Sequence, residues 1–261
     1  MTTANNINGS DRASSLWQIV TSFLPMLVVL RLMYLSLSIS YSLTLALSVL
    51  GAGFFVRIFI IQHDCGHGSF FKSNKTNHTL GLVCSMFTLI PYYYWRKQHA
   101  IHHATTGDLD RRGHGDITVH TIEEYLQLSK FDRLKYRLYR NPFILLVLGP
   151  IYFVLLDNRM VLDRKLTTSG ERANVHLTNL MILGAYIAIS YFAGWLEVLL
   201  IATPILWLAS SVGIWLFYVQ HQFDDTYWRR TPSWKLKDAA LQGSSYLKLP
   251  RLIQWFTGNI G

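Results

Sequence analysis

Apolar and small residues run almost unbroken from 16 to 61. As a single helix this stretch would be about 69 Å long. A bilayer core is about 30 Å thick and takes about 20 residues per pass. The stretch therefore predicts two spans, near 16–36 and 41–61, with Ser36-Leu37-Ser38-Ile39-Ser40 as the turn. Two further spans are predicted near 174–193 and 196–219, separated by Ala193-Gly194-Trp195. Two shorter apolar stretches lie between the pairs. One is 79–94, which contains Pro91, and the other is 143–156, which follows Asn141-Pro142. Both are too short for a comfortable crossing and predict interfacial or partly inserted helices. The polar residues 1–15 predict a disordered N-terminus ahead of one membrane domain, 16–261.

Four crossings place both termini and the long segment 62–173 on one side. The pattern thus predicts an all-α integral membrane protein with a cap on that side. Gly51-Ala52-Gly53 in the second span predicts close helix packing. No G-x-G-x-x-G completes a nucleotide-binding loop there.

Composition sharpens this picture. Only 15% of residues are charged, against about 25% in a soluble domain. The 24 Lys+Arg outnumber the 15 Asp+Glu, a net charge of +9. That excess suits anionic lipid headgroups or an acidic protein partner, and nothing in its pattern calls for nucleic acid. Fifteen of the basic residues fall in 62–173 and six in 220–261, while the two short loops on the opposite face carry none. Positive charge favours the cytoplasm, so the cap and both termini are expected there. Cys65 and Cys84 cannot build a disulfide framework, which suits a reducing compartment. No short apolar stretch with a small-residue cleavage site marks a signal peptide.

The ten histidines are unevenly placed. His63 and His67 are spaced i, i+4 at the end of the second span, so on a helix both rings share a face. His99, His102 and His103 are spaced i, i+3, i+4 in "QHAIHH", again on one face. His221 ends the fourth span. The predicted topology brings all six to one level just outside the hydrocarbon. A single pair of this kind also reads as an ordinary interfacial pair, but six imidazoles together point to metal. Neutral imidazole suits Fe, Zn, Cu and Ni. Six are more than one tetrahedral zinc uses, so either two metals or one site with spare rings is implied. His78, His114, His120 and His176 read as structural or surface residues.

Here the residues reach a known family. "HDCGHGSFF", "WRKQHAIHHATTGDLDRRGHGDI" and "YVQHQFDDTYW" resemble the histidine boxes of integral-membrane fatty acid desaturases. They are most similar to the acyl-lipid branch that inserts a second double bond, of Δ12 or ω-6 type. The resemblance runs from about Arg57 to the last residue and takes in "RLKYRLYRNPFILLVLGP" and "GSSYLKLPRLIQWFTGNIG". It implies four membrane helices under a cytoplasmic cap and a di-iron centre held almost wholly by histidine. It also implies O2 as co-substrate, an acyl lipid as substrate, and electrons from a ferredoxin or cytochrome b5-type protein. By motif match, His63 and His67 are the first box, His99, His102 and His103 the second, and His221 the single extra ligand.

In that family "QWFTGNIG" leads into a third box, H-x-x-H-H, whereas this sequence stops at Gly261. Six expected ligands are present where the family uses eight or nine. The expectation is a piece of a longer desaturase, with the 261 residues alone desaturating nothing.

Other residues take roles around that centre. Asp64, Asp108, Asp224 and Asp225 are candidates, by position, to orient the ligand rings. Asp110 and Asp116 read equally well as solvated loop charges. Tyr92, Tyr93, Tyr94 and Trp95 would line or anchor an acyl tunnel or form an interfacial aromatic belt, and Tyr94 and Trp95 are the tunnel candidates. Cys65 lies inside the first box but off the shared histidine face, so it is expected not to bind metal. The basic segment 130–140 would dock an acidic electron carrier or lie as an amphipathic helix against headgroups. The competing readings are a histidine-box lipid, alkane or carotenoid hydroxylase, and a membrane metal transporter. The transporter would need polar ligands near the bilayer midplane, where this sequence has almost none.

Overall fold

A computed structural model describes residues 11–113, 117–161 and 165–259, and the described residues are helical with no strand. Helix α1 spans Arg12–Ser36 and α2 spans Tyr41–His67. Residues 1–10, the bulk of the expected disordered segment, lie outside the described residues. Residues 12–15 are helical, so α1 starts four residues before the span read from hydropathy. The cause is Asp11, whose carboxylate accepts the N–H groups of Ala13 and Ser14. The buried Ser15 hydroxyl then ties the start of α1 to the carbonyl of Phe70 at 2.7 Å. The turn falls on Leu37–Ser40, pinned by a buried Ser36–Thr44 hydroxyl pair at 2.7 Å.

Helix α3, Asn74–Thr88, and α4, Tyr92–Thr105, share the stretch 79–94 and break at Pro91. The cap continues through α5, Ile122–Gln127, and α6, Lys130–Tyr139. Next come α7, Pro142–Val147, α8, Gly149–Tyr152, and a π-helical turn over Phe153–Asp157. Helices α9, Ser169–Ala193, and α10, Trp195–His221, are the second long pair, reversed at Gly194 with φ +91°. Short helices α11, Leu236–Gln242, and α12, Arg251–Thr257, follow.

Helices α1, α2, α9 and α10 are each long and apolar enough to cross a membrane. They contain the four stretches read from hydropathy. The outward face of α9 carries exposed Leu180, Leu183, Ile187, Tyr191 and Phe192, an apolar surface that suits lipid and not water. The packed core centres on α2, with Ile58, Ile61 and Phe55 against Met33 of α1, Cys84 of α3 and Ile205 of α10. The small residues read as packing contacts do serve that purpose. A Cβ on Gly51 would meet Ile205 Cδ1 at 2.9 Å, and one on Gly53 would meet the Phe256 ring at 3.0 Å.

The stretch 143–156 packs part-way along α10. The carbonyls of Leu146 and Val147 accept hydrogen bonds from Ser211 and Trp207. Those residues lie ten and fourteen positions before His221 on α10, about 15 and 21 Å along the axis.

Candidate metal centre

Box one stays helical because α2 runs six residues beyond the hydrophobic span and stops only at Gly68, a left-handed cap with φ +71°. Box two lies on α4. Its first turn has no side-chain cap of its own, and Asn174 of α9 supplies one. Asn174 Oδ1 accepts the N–H groups of Tyr93 and Tyr94 at 3.0 and 3.4 Å. A second anchor is the Tyr92 hydroxyl, which donates to the Cys65 carbonyl at 2.9 Å. These bonds fix α4 against α9 and against the end of α2.

The result is a convergence of imidazole nitrogens. His67 Nε2 lies 3.2 Å from His63 Nε2 and 3.1 Å from His99 Nε2, and His99 Nε2 lies 3.0 Å from His103 Nε2. The donor atoms of these four rings all lie within 4.8 Å of one another. Next to them is a second pair, His102 and His221, whose Nε2 atoms are 3.3 Å apart. The His99 and His102 rings stack between the groups at 6.1 Å. All six predicted histidines are therefore together, as four plus two.

Tautomers make the arrangement suitable for metal. His221 Nδ1 meets the carbonyl of Gly243 at 2.9 Å. A carbonyl only accepts, so Nδ1 carries the proton and the inward Nε2 is a bare lone pair. His63 Nδ1 meets the Asp64 carboxylate at 3.1 Å, with the same consequence. Burial and then the neighbouring imidazoles push the His99 pKa down to about 2 and that of His103 to about 4. Both rings are neutral at pH 7, the state a metal ligand needs. Two nitrogens at about 2.1 Å from one ion in a cis or tetrahedral arrangement sit about 3.0–3.4 Å apart, which is the spacing of the His63–His67, His67–His99, His99–His103 and His102–His221 pairs. The donor set fits imidazole-binding metals, iron among them.

The remaining predicted residues divide. Asp64 is where a ring-orienting partner should be. Asp108 is not, because it is buried one layer away. It accepts from Arg111 Nε at 2.7 Å and from Thr231 Oγ1 at 3.0 Å, clasping the loop after α4 to the loop after α10. Asp224 and Asp225 are exposed in the turn after α10, where Asp225 has φ +65°, and neither reaches a histidine among the described residues. Their expected place is taken by the backbone carbonyl of Gly243. Trp95 stacks on His99 at 4.7 Å and 17° and forms a wall of the cluster. Tyr94 is buried at the start of α4. Cys65 is fully buried and outside the metal-binding group. His78 bonds the Tyr92 hydroxyl, His120 packs on Tyr136 and His176 is exposed on α9. His114 and Asp116 lie outside the described residues. A cavity of about 810 Å³ reaches the cluster, lined by His67, His99 and His103 together with Tyr93, Arg96 and Lys97.

Comparison with known proteins follows the same residues. Residues 40–261 match the family described as fatty acid desaturase. The chain is 50% identical over 251 residues to a fatty acid desaturase of Bacillus subtilis, covering 96% of this chain and 71% of that protein. It is 32% identical over 199 residues to an sn-1 acyl-lipid omega-3 desaturase (ferredoxin) of Synechocystis, covering 72% of this chain and 52% of the relative. It is 41% identical over 54 residues to a Delta(12)-fatty-acid desaturase of Arabidopsis thaliana, 21% of this chain and 14% of the plant protein. With the family match running from the second membrane helix through all three histidine-bearing segments, this chain belongs to the fatty acid desaturase family of oxidoreductases.

Proposed function

We propose that the chain forms the iron-binding part of an acyl-lipid desaturase that inserts a second double bond into a membrane-bound acyl chain. The observation that carries this reading is the convergence of four Nε2 atoms beside the His102–His221 pair. His63, His67, His99 and His103 would hold one iron, and His102 and His221 would contribute to a second. With O2 and two electrons, a di-iron centre supplies the oxidising power to remove hydrogens from methylenes that no side-chain base can deprotonate.

The protein's own part is position and electronics. Asp64 and the Gly243 carbonyl set ring tautomers, and Trp95 and Phe217 pack the rings so that they cannot turn away. The cluster sits at the end of the apolar helices. There it meets an acyl chain on one side and a water-soluble electron donor on the other. The Synechocystis relative, an acyl-lipid desaturase named with ferredoxin, supports an acyl lipid as substrate and a ferredoxin as donor, with a cytochrome b5-type protein as the other candidate. The clustering of basic residues on the histidine side supports a cytoplasmic placement of that face. Six imidazoles are fewer than the family resemblance calls for, so the 261 residues alone are expected to desaturate nothing.

Anaerobic Fe(II) loading of the purified chain, read by iron content and Mössbauer spectroscopy, tests the centre. Coupled or histidine-bound iron that vanishes in His99→Ala supports it, and no bound iron overturns it. Fatty acid profiling of cells expressing residues 1–261 tests the rest, because new dienes would refute the expected inactivity.

A further inference from the structure

Helix α6 has two unlike faces. Tyr136 and Arg133 turn toward the protein. The Tyr136 hydroxyl accepts the N–H of His120 at 3.2 Å, and its ring lies 4.6 Å from that imidazole. Arg133 donates to the carbonyls of Leu126 and Leu128. The opposite face carries Phe131, Leu134 and Leu138, spaced i, i+3, i+7 and 66%, 51% and 46% exposed. Exposed Lys130 and Arg137 border this stripe on one side and Lys135 on the other. Lys135 Nζ lies 4.3 Å from the Phe131 ring. No residue of α6 is buried.

What covers this stripe follows from where the helix is tied. Three residues beyond its end the chain enters α7, whose last carbonyls are bonded to Ser211 and Trp207, well inside the apolar length of α10. Arg140, in the joint, donates to Gln222 Oε1 at 2.7 Å and to the Thr118 carbonyl at 3.2 Å. Gln222 caps α10 next to His221. One end of α6 is thus fixed at the level where α10 leaves the apolar layer, and the next segment is already inside it. An apolar stripe bordered by cations at that level matches the boundary between acyl chains and phosphates. A soluble acidic carrier would need the cations facing water, and here they border large apolar side chains.

We infer that α6 is a seat for anionic phospholipid: Phe131, Leu134 and Leu138 enter the acyl boundary while Lys130, Lys135 and Arg137 engage the phosphates. This goes beyond the proposed reaction and does not depend on the metal centre. Through Arg140 and Gln222 the seat is also linked to the end of α10 that carries His221.

The test uses the full chain carrying Phe131→Cys labelled with the fluorophore NBD. Cys65 and Cys84 are both buried, and the unsubstituted chain serves as the labelling control. It is placed in nanodiscs of phosphatidylcholine alone, or with about one third phosphatidylglycerol. The expected result is emission shifted to the blue, quenching by spin-labelled lipid and slow reduction by aqueous dithionite, all stronger with phosphatidylglycerol. The triple variant Lys130→Gln, Lys135→Gln, Arg137→Gln should weaken seating about fivefold for each charge removed, with helix content unchanged by circular dichroism. Equal, fast dithionite reduction in both membranes overturns the inference. Protection that ignores lipid charge and the triple variant refutes its anionic part. Protection that appears only when a soluble ferredoxin is added assigns the face to a protein partner instead.

Discussion

His102 and His221 lie 119 residues apart in the chain and meet with their Nε2 atoms 3.3 Å apart. Neither residue's own helix sets that spacing. It depends on the clasp between the loop after α4 and the loop after α10. Asp108 holds Thr231, Trp234 Nε1 donates to the Thr106 carbonyl at 3.0 Å, and Arg229 N–H donates to the Gly107 carbonyl at 2.9 Å. A Cβ on Gly107, at φ +77°, would meet the Tyr227 carbonyl oxygen at 2.7 Å, so only glycine lets the two loops come this close.

Asp108→Ala is expected to open this clasp. It leaves Arg111 Nε and the Thr231 hydroxyl without their buried acceptor, a loss on the order of 2 kcal/mol. The thermal midpoint should fall. Iron bound at the His102–His221 pair should fall more than iron bound at the four-histidine cluster, which no residue of the clasp touches directly. Thr231→Ala should reproduce the effect more weakly. Iron stoichiometry and Mössbauer spectra on both variants check this, and equal loss from both positions would refute it.

His99 is the hub of the larger cluster, because its Nε2 meets both His67 and His103. His99→Ala should weaken iron binding beyond the 10- to 100-fold typical of losing a ring-orienting partner. Asp64→Asn should fall within that 10- to 100-fold range. His78→Ala should change iron binding little, because His78 bonds the Tyr92 hydroxyl. Anaerobic Fe(II) titration of the three variants decides the ranking.

Four long helices and six gathered histidines were legible in the sequence because hydropathy length and i, i+3, i+4 spacing are local signals. The first box could be placed on a helix face because α2 simply continues past the span. The partners that orient the rings were legible only in part. Asp64 adjoins its histidine in sequence, but Gly243 reaches His221 across 22 residues through a backbone carbonyl that every residue possesses. Asp224 and Asp225 were attractive for their nearness to His221. However, α10 ends at that histidine and the turn carries both carboxylates out to solvent. Asn174 acts through a tertiary contact with no sequence pattern of its own, whereas Trp95 reaches His99 at the local i, i+4 spacing of α4.

Acid should weaken the cap through Glu124. Hydrogen bonding to Arg112 is the largest cause that lowers its pKa to about 2, against burial that would raise it, with Arg230 and the Thr121 N–H adding to the effect. A carboxyl with a depressed folded-state pKa binds fewer protons folded than unfolded. Its contribution is complete above the unfolded value near 4.5 and is lost as pH falls toward 2. Stability measured between pH 5 and pH 3 should therefore decline in the native chain. Glu124→Gln should start lower and show a shallower slope across that window. An unchanged slope would mean that this carboxylate does not couple the cap to pH.

Arg57 is the charge the membrane helices can least easily carry. It lies six residues before His63 on α2, is 7% exposed, and has no carboxylate partner among the described residues. Its guanidinium donates to Gln18 Oε1 of α1 at 2.8 Å, lies 5.0 Å above the Trp255 ring of α12, and leaves Nε without an acceptor. Ring contacts of Phe54 with Trp255 and Phe256 complete the joint. The cation thus holds the last helix against α2 just beneath the histidine cluster. A desolvated cation–π contact is worth about 2 kcal/mol, which is roughly thirtyfold in an opening equilibrium. Arg57→Met keeps the apolar stem and removes the cation, so amide exchange across Arg251–Thr257 should accelerate by about that factor while exchange in α9 stays as it was. Arg57→Lys keeps the charge but loses the flat stack over Trp255, and should fall between the two. If α12 exchanges at the native rate in Arg57→Met, then Phe54 and the glycine-lined contact with Phe256 hold the helix, and the buried charge must serve some other group.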